Sequence, residues 1–202
     1  MGQDFTAILD HRLETEGLTR LPSQLDKLMS SVGQQFGKAR LGGIKESPDR
    51  WMWDWNQDFD PPFSDWIEAG NVGLSGPGSL SVEFGSKSLS LYCWVRWREF
   101  VTDKMIQQAM RIVTLCFAEC FASKLAIYVP DSSSKFGEGS RNLVHDGASI
   151  AEILDHLADL GLPSTSIESM CRRTKAFIDG RSYQTLECDG YYIDRFEDLR
   201  GL

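Results

Sequence analysis

Three histidines, five cysteines and a dense run of tryptophans and aspartates are the raw material for any chemistry this chain performs. His145 and Asp146 stand side by side in a stretch that reads as a loop, and an imidazole next to a carboxylate is the pairing a general base requires. Joined by a thiol, Cys171 or Cys188, or by a hydroxyl among Ser132, Ser133 and Ser134, the pair would make a nucleophile and its base. None of these positions has the glycine-bounded elbow that exposes a nucleophilic serine. Catalysis through His145 and Asp146 is therefore the alternative reading, not the leading one. His156 follows Glu152 at the i, i+4 spacing of half a metal site, but no second such pair completes it, so a solvated helix face is expected there and no metal. His11 is expected on the polar side of a first helix.

The most distinctive stretch runs from Trp51 to Trp66 and holds four of the six tryptophans together with Asp54, Asp58, Asp60 and Asp65. Indoles supply large apolar area with few rotatable bonds, and interleaved carboxylates set the sign of whatever meets them. The expected role is a partner-binding surface made of Trp51, Trp53, Asp54, Trp55, Asp58, Asp60, Asp65 and Trp66. Asp54 to Asp65 lacks the frame of a calcium loop, with no glycine at its sixth position and no glutamate at its twelfth. Paired carboxylates beside tryptophan platforms also suit a carbohydrate-acting enzyme, the other form of the alternative reading. Gly73 to Gly78 lacks the lysine of a phosphate-cradling loop, so no cofactor is expected.

The formal net charge of -8 opposes association with nucleic acid, whose affinity for proteins comes largely from lysine and arginine meeting phosphates. Arg96 with Arg98, and Arg172, Arg173 and Lys175, are short basic groupings that do not reverse the balance. A protein partner with a basic surface or cleft fits this charge. Cys93, Cys116, Cys120, Cys171 and Cys188 are odd in number, and no two are spaced as Cys-x-x-Cys, which argues against a disulfide framework or a zinc ribbon and for a reducing, cytoplasmic setting. Cys116 and Cys120 read as small apolar residues on one helix face. No window is apolar for long enough to span a bilayer, and Met1-Gly2 with Thr6 lacks the basic cluster that a lipid anchor needs beside it. Membrane association is not expected.

A chain of 202 residues suffices for a single globular unit. Phe5, Ile8, Leu9 and Leu13 are spaced as in a helix that Gly17 would end, and Ser23 would cap a second helix carrying Leu25, Leu28, Val32 and Phe36. Residues 41 to 79, rich in proline and glycine, read as a long irregular segment. Leu80, Val82 and Phe84, then Leu89, Leu91, Cys93, Val95 and Trp97, alternate about a Gly85-Ser86-Lys87 turn and predict a β-hairpin. Its other face ends in Tyr92, Trp94, Arg96 and Arg98. Asp103 is placed to cap an amphipathic helix from Met105 to Phe121, a short strand spans 125 to 130, and residues 131 to 139 form a polar loop. Ser149 and Glu152 form a capping box, and Asp189-Gly190 turns a C-terminal hairpin into Tyr191-Tyr192-Ile193.

The expected fold is α+β. A single mixed or mainly antiparallel sheet of about five strands packs against a long central amphipathic helix, with two N-terminal helices and one further helix around it. The expected function is that of a non-enzymatic, acidic protein-binding module whose surface also includes Trp94, Tyr191 and Tyr192. Acidic proteins of this size that neutralise toxins or chaperone secreted effectors have a similar composition, which is a likeness of composition alone.

Overall fold

In the computed structural model, residues 4–12, 54–55, 72–75, 80–130, 135–161, 164 and 190–196 are described. The first described residues form a strand where the sequence suggested a helix. Phe5 to Leu9 are wholly apolar but for Thr6, and all five are buried within β1 (Asp4–Asp10). A strand covered on both faces has no polar side to show, so its sequence loses the alternation that marks a half-exposed strand. The helical spacing of Phe5, Ile8 and Leu9 was a coincidence of that continuous run. The second expected helix, at Ser23 to Phe36, lies outside the described residues.

The hairpin forms where the alternation places it. Strand β4 (Ser81–Phe84) pairs antiparallel with β5 (Ser88–Arg96), with Val82 opposite Leu91 and Phe84 opposite Leu89 across the Gly85-Ser86-Lys87 turn. The strand stops one residue earlier than its pattern, because Trp97 opens a helical turn, α1 (Trp97–Thr102). Part of the segment read as irregular is also strand. Backbone pairing joins β2 (Asp54–Trp55) to β3 (Val72–Ser75), and β3 to β4. Strand β6 (Leu125–Pro130) pairs with β1, and β7 (Tyr192–Arg195) pairs with β6. The partner strand expected for β7 across Asp189-Gly190 lies outside the described residues.

These strands form one antiparallel sheet in the order β2-β3-β4-β5-β1-β6-β7. Because β5 and β6 are both antiparallel to β1, which lies between them, they run parallel to each other, and the connection between them carries α1 and α2 (Lys104–Phe121) over one face. The Asp103 side chain accepts hydrogen bonds from the amides of Met105 and Ile106, satisfying two donors that helix geometry leaves unpaired. The polar loop expected at 131 to 139 is corrected in its second half: Lys135 to His145 form helix α3, followed by α4 (Ile150–Asp159). The glycines at 137 and 139 masked α3 in sequence.

The sheet therefore carries a helical layer on each face, where the sequence indicated one helix backing it. Phe5, Ala7, Leu9, Leu91, Ala126 and Tyr128 join Phe100, Met110, Val113, Phe117 and Phe121 in the core beneath α1 and α2. The alternate residues Ile8, Ile127 and Val129 join Phe136, Val144, Ile153 and Leu157 in the core beneath α3 and α4. No helix among the described residues is long and apolar enough to cross a membrane.

Candidate functional site

Side chains with chemical potential converge at Glu83. Strand periodicity turns Val82 and Phe84 into one core and Glu83 to the opposite face, where Tyr92 of the neighbouring strand also stands. Helix α3 brings Arg141 and His145, one turn apart, over the same carboxylate. Arg141 Nε donates to Glu83 Oε2 at 2.9 Å, a second guanidinium nitrogen donates to Oε1, and Tyr92 Oη donates to Oε1 at 3.1 Å. His145 Nε2 lies 3.4 Å from Oε2, and the Arg141 guanidinium sits 5.3 Å above the Tyr92 ring. Burial, followed by the Glu83 charge, pushes the Tyr92 phenol above its ordinary range, so at neutral pH it is a hydrogen-bond donor and not a base.

The acid beside His145 is therefore Glu83, 62 positions away in sequence, not Asp146, which is exposed. His145 is also not in a loop: it is the last residue of α3. An imidazole oriented by a carboxylate is half of a catalytic relay, but both carboxylate oxygens here are already taken up by a bidentate arginine. Cys171, Cys188 and Ser132 to Ser134, the nucleophiles that sequence could pair with His145, lie outside the described residues. Glu83 had a sequence signal in its position on the polar face of the hairpin. Arg141 had none while α3 was read partly as loop.

A second polar cluster lies beneath α2 at the other end of the sheet. Asp194 of β7 accepts from Arg111 Nε at 2.7 Å, from a second Arg111 nitrogen at 2.8 Å, from Tyr128 Oη at 3.0 Å and from Tyr192 Oη at 2.5 Å. Burial opposes the charge on Arg111, but the hydrogen bonds and charge of Asp194 outweigh it and raise the guanidinium further. Burial and Asp194 together raise Tyr128 well above its ordinary range. Tyr191 and Tyr192, expected from the sequence to belong to the partner-binding surface, are both buried. Tyr192 closes the Asp194 cluster and stacks on Tyr128, while Tyr191 joins the core under α3 and α4.

The other histidines also differ from expectation. His11, read as a polar helix position, is buried at the end of β1, with its Nε2 2.7 Å from Gly85 O. The His156 ring packs toward α3 so closely that a Cβ on Gly139 would come within 2.4 Å of Nε2, a buried nitrogen without a hydrogen-bond partner among the described residues. Glu152 does not pair with it. Its carboxylate closes the expected capping box with Ser149, whose backbone and side-chain hydrogen bonds hold it below its usual range. Cys93 is buried, and its thiol is pushed up to about 12, chiefly by burial. Cys116 and Cys120 pack part-buried against the core under α2.

Of the aromatic and acidic segment, Asp54 and Trp55 are described by backbone alone, as strand β2, and Trp94 likewise within β5. Trp51, Trp53, Asp58, Asp60, Asp65 and Trp66 lie outside the described residues. Fold and clusters together define an α+β protein with an antiparallel sheet between two helical layers. No family model matches the chain, and comparison with curated proteins and with solved structures gives no match.

Proposed function

We propose that this protein is a non-enzymatic, cytoplasmic protein-binding module that binds or neutralises a protein partner through the aromatic and acidic stretch Trp51 to Trp66. The observation carrying this reading is the position of Asp54 and Trp55 in β2, at the end of the strand order and thus at the rim of the sheet among the described residues. The rim is where a chain can offer backbone and side chains to a second protein. Net charge supports a partner with a basic surface or cleft, since complementary charge raises encounter rates and disfavours wrong partners. The described carboxylates Glu83 and Asp194 are each held by an internal arginine, consistent with a structural use of charge within the fold.

The test is capture of the partner from the source organism by the full chain, compared with a variant carrying Trp53→Ala, Asp58→Asn and Asp60→Asn. Loss of at least tenfold in captured partner, with the melting temperature unchanged within about 2 °C, is the expected result. Undiminished capture would remove the site assignment. A second reading, a small hydrolase or carbohydrate-acting enzyme, draws on the 3.4 Å approach of His145 to Glu83. Under it His145→Ala abolishes turnover; under the first reading that variant binds the partner as well as the parent chain does.

A further inference from the structure

We draw no further inference here: the strongest candidate, the run of exposed carboxylates Glu138, Asp146, Glu152, Asp155 and Asp159 along the α3–α4 layer, is an acidic cluster alone, and nothing among the described residues shows what it would bind.

Discussion

Asp194 shows how much a single side chain organises. One carboxylate on β7 collects two nitrogens of an α2 arginine and the hydroxyls of two tyrosines, so it joins the last described strand to the helix above it. Removing one partner of such a pair leaves the other charge buried and unpaired, which costs more than the pair contributes. Asp194→Ala should therefore destabilise the fold by about 3–5 kcal/mol in urea unfolding, and a loss below about 1 kcal/mol would show the cluster to be solvated. Cys93 gives a second check at this scale. With its thiol pushed up to about 12, it should not react with a disulfide reagent in the native state at pH 8. Cys93→Ser should leave the count of rapidly labelled thiols unchanged.

Among the elements, α2 has one well-made end and one poor one. Asp103 caps its start with two backbone hydrogen bonds, and Asp103→Ala should cost about 1 kcal/mol. At its other end Ala122 holds a left-handed conformation, φ 55°, which an L side chain adopts at a cost of roughly 1–2 kcal/mol. Glycine at that exposed position removes the strain and adds some unfolded-state entropy. Ala122→Gly should raise stability by a net amount of about 0.5–1 kcal/mol, seen as a higher urea midpoint at unchanged slope. A lower midpoint would mean that the left-handed turn carries no strain in solution.

For the whole molecule, the governing facts are the net charge of -8 and the sheet enclosed between helical layers. If acidic residues at the rim steer a basic partner, the association rate should fall steeply between low salt and about 0.5 M salt, while dissociation changes little. Surface-bound partner association measured across that range checks this, and a salt-independent association rate would count against a basic partner.

Local patterns sufficed for the hairpin of β4 and β5, the Asp103 cap and the Ser149 capping box, because each depends on residues within a few positions of one another. They failed at β1, where burial on both faces erased the alternation, and at α3, where two glycines lowered helix propensity that packing restored. The Glu83–Arg141–His145 and Asp194–Arg111–Tyr128 clusters join residues 58 to 83 positions apart. Charge, composition and short-range signals belong to the chain taken alone. Which carboxylate meets which cation, and which tyrosines leave the surface, was decided only by the strand order, since that order alone brings distant segments within hydrogen-bond reach.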